Sequence, residues 1–192
     1  MQKQRLFDAA AEVFSRAGYA EASAEAISRQ AGMSKATFYE HFSNKEECLL
    51  ALFEHATATL LEALLEASRG ADRDYHERHR AGLRAILETI ETNPTLAQAI
   101  LVETSGAGHR VADLRDTALT GFAQVMYEQT REAARRGGGP AYASADEAFA
   151  IVGATFELVA RQLRTGHPVQ MLDLLPLIER LILGLLSQPR NS

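Results

Sequence analysis

Small and polar side chains recur near the start of the chain at spacings suited to nucleic-acid contact. The segment ISRQAGMSKATFYEHF, residues Ile27 to Phe42, carries hydroxyl, ammonium, phenol and imidazole groups, which donate hydrogen bonds to phosphate oxygens. It also carries methyl groups that can touch thymine, and the carboxylate of Glu40, which can accept from cytosine. The segment therefore predicts contacts to both the base edges and the backbone of a DNA duplex.

These side chains need a helix that turns them outward. At about 100° per residue, Phe38 and Phe42 share one side of a short helix, and the polar groups lie opposite. Ala36, Thr37 and Glu40 would face base edges, the remaining outward residues would contact phosphate, and Ser23 would reach the opposite strand. The predicted DNA-contact residues are Ser23, Ser34, Lys35, Ala36, Thr37, Tyr39, Glu40, His41 and Lys45.

A glycine and a serine predict how this helix is joined to the one before it. Gly32 suits the left-handed conformation at the C-terminal end of a helix. Ser34 suits the N-cap of the next helix, with its hydroxyl accepting from the amide of Ala36 or Thr37. Ser23 is a matching N-cap for the preceding helix. Together these residues predict a helix-turn-helix, whose second helix enters the major groove.

Composition predicts an all-α protein without a membrane span. The chain has 192 residues, 46% of them hydrophobic, and only 5 prolines, and no stretch alternates as strands do. Asp173, Pro176 and Glu179 interrupt its most apolar stretch, 171–186. The early charged residues exclude a signal peptide, and the single Cys48 reads as a small buried side chain, so we expect a cytoplasmic protein.

Charge is divided unevenly along the chain. The net charge is −5, which at first argues against nucleic acid. Residues 1–46 carry equal numbers of acidic and basic side chains, so the rest of the chain holds the whole deficit. A local basic face matters more for DNA binding than the sum.

Caps and breakers predict about nine helices. Glycine, proline and capping residues set their ends, and Ser-x-x-Glu capping boxes at Ser43 and Ser144 begin the fourth and eighth helices. The predicted helices run from about Gln2 to Ala17, Ser23 to Ala31, Lys35 to Phe42, Ser43 to Gly70, the stretch after Ala71 to Glu91, Thr95 to Thr104, Arg110 to Arg136, Ser144 to Thr165 and Val169 to Ser187.

The region from about Arg5 to Leu52 resembles the DNA-binding region of TetR/AcrR-family transcriptional regulators. The resemblance lies in AAAEVFSRAGYAEAS and in EAISRQAGMSKATFYEHFSNKEECLLALF, with Ala22 and Ala24 as mild departures from the pattern. It implies a three-helix DNA-binding domain at 1–46, followed by a helical effector-binding and dimerisation domain at 47–192. By the same resemblance, the DNA contacts are Ser34, Lys35, Thr37, Tyr39, His41 and Lys45, and the small domain's core is Phe14, Ile27, Phe38 and Phe42.

The last helix is apolar around most of its circumference, so it needs cover on two sides. Its own subunit can cover one side and a symmetry mate the other, and the family resemblance implies a homodimer through the last two helices. Burial within one subunit is the alternative. The predicted interface residues are Ile151, Thr155, Leu158, Leu174, Leu177, Ile178, Leu181 and Leu185.

Polar side chains within apolar helices are the candidates for an effector site. For each of them, a purely structural role is the alternative. A mostly hydrophobic effector fits a domain rich in Leu and Phe. The candidate effector-binding residues are His55, Glu103, His109, Tyr127, Glu157 and Arg161.

The sequence offers little for an enzyme. GxSxG, HExxH and Walker patterns are missing from the sequence, and His76 and His79 have ligand-like spacing without a third clear ligand. A pure protein-interaction module is the third class. We expect no catalysis, cofactor or metal. The predicted function is that of a homodimeric repressor, which binds a palindromic operator and is released by a small, mostly hydrophobic effector.

Overall fold

The computed structural model describes residues 1–69, 75–104, 107–137 and 139–186. Over these ranges the chain forms nine α-helices, one 3₁₀ turn and no strand, which confirms the all-α prediction. The α-helices are α1 (Gln2–Glu21), α2 (Ala24–Gln30), α3 (Lys35–His41), α4 (Lys45–Ser68), α5 (Tyr75–Thr92), α6 (Pro94–Leu101), α7 (His109–Arg135), α8 (Ala145–Thr165) and α9 (Leu175–Leu186).

Two compact units divide the chain. The first contains residues 1–59 and 93–115, and the second contains residues 60–92 and 116–192. Helices α4 and α7 each contribute residues to both units. These units are defined by which residues pack together. The predicted boundary after residue 46 separates a DNA-binding domain from an effector-binding domain, and it stays a prediction.

Helix α1 organises the first unit by packing against α2 and α6. Its buried stripe includes Leu6, Ala10 and Phe14, each with no exposed surface, at the i, i+4 spacing of an amphipathic helix. Gly18 interrupts the helical backbone with φ of +75°, at the predicted end of the helix. Helix α1 continues beyond Gly18 to Glu21. The Ala22 amide then donates to the Gly18 carbonyl at 3.2 Å.

Asn44, not Ser43, supplies the N-cap of α4. The Glu47 amide donates to Asn44 Oδ1 at 2.9 Å, and the helix begins at Lys45. The predicted Ser43–Glu46 capping box is therefore wrong by one residue, because asparagine caps a helix as well as serine does. The predicted helix end at Gly70 lies outside the described residues.

The apolar residues of α4 form part of the first unit's core. By length and composition, α4 is the one helix among the described residues that could cross a membrane, yet 39% of its apolar window is buried inside the protein. Cys48, Leu49 and Leu52 are at most 1% exposed. Burial raises the pKa of the Cys48 thiol to about 12, which fits its expected role as a small core side chain.

Helix α8 of the second unit has both of its predicted ends. The Ser144 hydroxyl accepts from the Glu147 amide at 3.3 Å, and the Glu147 carboxylate accepts from the Ala143 amide at 2.8 Å. Gly166 ends the helix in the left-handed conformation with φ of +69°. The side chains and the glycine thus satisfy backbone groups that a helix end leaves unpaired.

The predicted helix from Val169 to Ser187 is wrong in its first part. Residues Met171–Leu174 form a 3₁₀ turn, and α9 begins only at Leu175. Pro176 explains the difference, because proline has no amide hydrogen and is tolerated in the first turn of an α-helix but not inside it. Ser187 lies outside the described residues.

Candidate nucleic-acid interface and effector cavity

The predicted helix-turn-helix is formed by α2 and α3. Ser23 caps α2 by accepting from the Ala26 amide at 3.1 Å, and Ser34 caps α3 by accepting from the Thr37 amide at 3.1 Å. Gly32 lies between them with φ of +63°. The turn is held further by Arg5, whose Nη2 donates to the Ala31 carbonyl at 2.7 Å. Side chains and backbone together therefore fix how α3 leaves α2.

Aromatic packing fixes which side of α3 turns inward. Phe38 has no exposed surface and Phe42 is 5% exposed, and their ring centroids are 5.5 Å apart. Phe7 of α1 approaches Phe42 at 5.9 Å. Ile27, also fully buried, contributes from α2. The rotation of α3 about its axis is thus set by a closely packed aromatic core.

The opposite side of α3 is open and polar. Lys35, Ala36, Tyr39, Glu40 and His41 are exposed, and so is Ser23. Tyr39 is 50% exposed although it is a large aromatic, and its ring packs edge-on against Phe38. The Thr37 hydroxyl, half-buried, lies 2.9 Å from the Ser34 hydroxyl. Donors, methyl groups and one carboxylate therefore share a single surface.

Lys45, which is predicted to contact phosphate, bonds to backbone carbonyls of its own chain. Its ammonium donates to the backbone carbonyls of Tyr19 at 2.9 Å and of Ala20 and Ala22 at 3.0 Å each. It also lies 4.6 Å from the centroid of the Tyr19 ring. An ammonium has three hydrogens, and all three are used here. In this conformation Lys45 joins the start of α4 to the end of α1.

The second unit contains an apolar cavity of about 50 Å³. Four of its lining side chains, Ser68, His79, Gln129 and Thr155, are polar, and the others are hydrocarbon or thioether. The hydroxyls of Ser68 and Thr155 donate to carbonyls of their own helices at 2.7 and 2.8 Å. The lining consists of Leu64, Ser68, His79, Leu83, Ile86, Ile90, Phe122, Met126, Gln129, Ile151, Val152, Thr155, Phe156, Val159 and Ile182.

The six polar residues predicted as effector contacts lie outside this lining. His109 and Arg161 are exposed, and Glu157 forms a surface ion pair with Arg164 at 2.7 Å. His55 and Glu103 belong to the first unit, where His55 stacks on Phe7 at 5.1 Å and Glu103 accepts from Gln98. The Tyr127 ring lies 5.2 Å from the guanidinium of Arg131.

The predicted effector contacts are all polar or charged side chains except the ring of Tyr127, whereas most of the residues that line the cavity are apolar. Phe122 and Met126 on α7 are one turn apart, and so are Val152 and Phe156 on α8. The same spacing in the sequence indicates an inward stripe on each helix. Spacing alone does not reveal that two such stripes leave space between them.

Half of the predicted dimer-interface residues are buried within the subunit. Ile151 and Thr155 line the cavity, and Leu174 and Ile178 are 6% and 0% exposed. Apolar residues on the inner side of an amphipathic helix pack in their own core first, so these four belong to the core of the subunit, and their role in an interface stays a prediction. Leu177 and Leu181 are exposed, and Leu158 and Leu185 are half-buried.

Comparison with known proteins agrees with this arrangement. Residues 6–52 match the family of bacterial regulatory proteins of the tetR type. The transcriptional activator FasR of Mycolicibacterium smegmatis is 32% identical over 135 residues, which cover 62% of this chain and 61% of FasR. The chain thus aligns with less than two thirds of that relative's length.

Solved structures share the fold over nearly the whole chain. The fatty acid degradation regulator FadR of Bacillus halodurans has a TM-score of 0.86 at 21% identity and covers 98% of this chain and 97% of its own. FadR of Bacillus subtilis, solved in complex with stearoyl-CoA, has a TM-score of 0.82 at 20% identity, with coverages of 96% and 97%. The match over residues 6–52 and the fold shared with these solved structures support a transcriptional regulator of the TetR family.

Proposed function

We propose that the protein is a cytoplasmic homodimeric repressor, which binds a palindromic operator through α3 and releases it when a small hydrophobic effector binds. The observation that carries the proposal is the outward side of α3, where side chains able to contact bases and phosphates are exposed on a helix whose rotation is set by Phe38 and Phe42. In a two-fold dimer, two such helices enter successive major grooves about 34–36 Å apart, or a multiple of that distance.

The proposed DNA contacts divide by role. Ala36, Thr37 and Glu40 lie on the surface that would face base edges. Lys35, Tyr39 and His41 would contact phosphate, joined by the serines Ser23 and Ser34. Lys45 would support this surface by holding α1 and α4 together.

Binding to duplexes selected from a random pool tests the DNA assignment. Tyr39→Ala and Lys35→Ala should weaken binding to every selected duplex, whereas Glu40→Gln should change which duplex is preferred. Glu128→Gln, an exposed change on α7, is the control and should bind like the parent. If all three α3 variants matched the control, the proposed orientation of α3 on DNA would be wrong.

Exposed leucines on α9 support dimerisation through α8 and α9. Leu177 is 36% exposed and Leu181 is 38% exposed, one turn apart on the same side of α9. Added Cβ atoms at Gly153 of α8 and Gly184 of α9 would meet nothing within 4 Å. Small residues of this kind let a partner helix approach closely, and a second copy is the natural cover in a symmetric assembly.

Sedimentation equilibrium of a charged variant tests the dimer. Leu181→Glu should shift the protein to monomer, because two carboxylates would be buried across the two-fold axis. Leu65→Glu is the matched control, since Leu65 on α4 is 37% exposed and should leave the dimer intact. A dimer that persists in Leu181→Glu would overturn this interface.

The apolar cavity supports an effector with a long hydrocarbon part. One structural relative was solved with stearoyl-CoA, and the lining here offers mainly hydrocarbon contacts. An effector weakens operator binding to the extent that it prefers the conformation with the lower DNA affinity. Long-chain acyl compounds should therefore release a bound duplex, and Phe156→Asp, which places a charge in the cavity wall, should abolish the release.

Activation is the second candidate, because the relative FasR is named as an activator. A promoter fusion distinguishes the two roles. Deleting the gene should raise expression from its target if the protein represses and lower it if the protein activates.

A further inference from the structure

A second, wider space adjoins the apolar cavity. This space, the α5–α9 cleft, measures about 510 Å³ and lies beside α5 and α9. His79, Leu83 and Ile182 line both spaces, so a molecule could extend from one into the other. The remaining wall of the cleft is mainly polar and includes Arg80 and Glu179.

Within the described part of the chain, the cavity offers no acidic residue and no lysine or arginine as a partner for a charged group. The hydroxyl donors of Ser68 and Thr155 are used within their own helices. Moving an ion into such surroundings without a partner is strongly unfavourable. A ligand whose tail occupies the cavity must therefore keep any charge outside it.

The cleft provides the partner that the cavity lacks. Arg80 Nε lies 3.2 Å from Glu179 Oε1, with 57% of the Arg80 side chain and 23% of the Glu179 side chain exposed. This contact engages Nε, and a guanidinium has two further nitrogens that can bind a carboxylate or a phosphate with two parallel hydrogen bonds. Because the Arg80 side chain is largely exposed, its pair with Glu179 contributes little stability, so a competing anion can replace Glu179.

We propose that the α5–α9 cleft binds the anionic head of a single-chain amphiphile whose tail occupies the apolar cavity. Arg80 binds the head, and Glu179 is the internal carboxylate that the head displaces. The inference rests on the proposed hydrophobic effector and specifies its class and its orientation. A fatty acid carboxylate and the phosphates of an acyl-coenzyme A are two sources of the same anionic chemistry.

The tail must widen the cavity as it enters. A volume of about 50 Å³ holds only a few water-sized groups. Met126 and Leu64 are part of the lining, and methionine in particular adapts its shape through several rotatable bonds. Side chains of this kind can give way to a hydrocarbon chain without changing the polar rim of the cleft.

Titration calorimetry on the full-length protein without DNA tests the proposal, with dodecanoate, dodecanol and dodecanoyl-coenzyme A as probes. Arg80→Gln should weaken dodecanoate about ten-fold, the effect of losing a hydrogen bond to a charged group, and should leave dodecanol within about two-fold. Glu179→Gln should strengthen dodecanoate, because the competing carboxylate is gone. Arg84→Gln is the matched control, since Arg84 pairs with Glu88 on the same helix and should change neither probe.

Each other outcome overturns the assignment. Equal weakening of dodecanoate and dodecanol in Arg80→Gln would place the head elsewhere, and weakening in Glu179→Gln would make the ion pair a structural element of the site. If none of the probes binds the parent protein, the cleft is not an amphiphile site.

Thermal melting confirms that each variant is folded. Dodecanoate and dodecanoyl-coenzyme A compared on the parent distinguish the two sources. The calorimetry contains no DNA, so a negative result would not contradict the proposed DNA binding. A negative result in the DNA-binding experiment would likewise not contradict the proposed amphiphile site.

Discussion

The ammonium of Lys45 lies against three backbone carbonyls and the face of Tyr19. The carbonyls of Tyr19, Ala20 and Ala22 belong to the end of α1, where the last residues of a helix lack intrahelical partners. A cation near that end also interacts favourably with the helix dipole. Lys45 therefore stabilises the first unit by both hydrogen bonding and charge.

Replacing Lys45 with methionine should lower the melting temperature by several degrees. The change removes hydrogen bonds from a charged donor, which contribute about 1.5–3 kcal/mol in typical cases. Lys35→Met is the matched control, since Lys35 is exposed on α3 and should melt like the parent while binding DNA more weakly. Scanning calorimetry of both variants measures this. An unchanged melting temperature in Lys45→Met would contradict the structural role.

A buried phenol gives a second prediction for a single residue. Tyr142 is 1% exposed, and its hydroxyl has no hydrogen-bond partner among the described residues. Burial, with a smaller effect from Glu147, raises the pKa of that phenol. Tyr142→Phe should therefore match or exceed the parent in stability, since it removes an unsatisfied polar group. Tyr142→Ala should lose about 3–5 kcal/mol through the cavity it leaves.

Urea unfolding followed by circular dichroism measures both changes. A Tyr142→Phe variant less stable than the parent by more than about 1 kcal/mol would show that the hydroxyl has a partner in solution.

At the scale of helices and turns, replacing either of two glycines by alanine should change the free energy of unfolding in opposite directions, because the two have different backbone conformations. Gly32 has φ of +63°, and an added Cβ would lie 3.4 Å from Arg5 Nη2. Gly121 lies within α7, and an added Cβ there meets nothing within 4 Å. Gly32→Ala should cost about 1–2 kcal/mol, and Gly121→Ala should gain about 0.5–1 kcal/mol.

Comparing the melting temperatures of these two variants isolates the backbone effect, because the added group is the same methyl. If both variants shifted in the same direction, the left-handed conformation at Gly32 would not be the cause.

The caps of α2, α3 and α8 and the inner side of α3 were predictable from the sequence, because they depend on residues within one or two turns, whereas the cap of α4 was predicted one residue too early, at Ser43 instead of Asn44. Ser23, Ser34 and Ser144 are local signals of this kind. The role of Lys45 was not predictable in the same way, since its partners lie more than twenty residues away. The apolar cavity is also non-local, and it exists only because inward stripes from several helices meet without filling the space.

For the whole molecule, the imidazole of His79 should make stability depend on pH. Burial first, then the charges of His76 and Arg78, lower the pKa of His79 from 6.5 to about 4. The unfolded chain therefore takes up a proton that the folded chain resists, so stability falls as the pH drops from about 6.5 toward about 4. Above 6.5 both states are neutral at this residue, and the effect disappears.

Melting temperatures across that pH range, for the parent and for His79→Gln, measure the contribution. The variant should lose less stability on acidification than the parent does. His41→Gln, an exposed change on α3, should follow the parent. Parallel curves for the parent and His79→Gln would show that other groups cause the acid sensitivity.

The engagement of Lys45 with carbonyls also bears on how this protein responds to ionic strength. A lysine whose hydrogens are already bonded displaces few condensed counterions from a duplex, and the counterions released set the slope of affinity against salt. Residues 1–46 carry no net charge, and the chain carries an overall charge of −5. The protein should therefore bind non-specific genomic DNA weakly. Recognition of the operator then depends on the fit of α3 in the major groove more than on electrostatic attraction to phosphates.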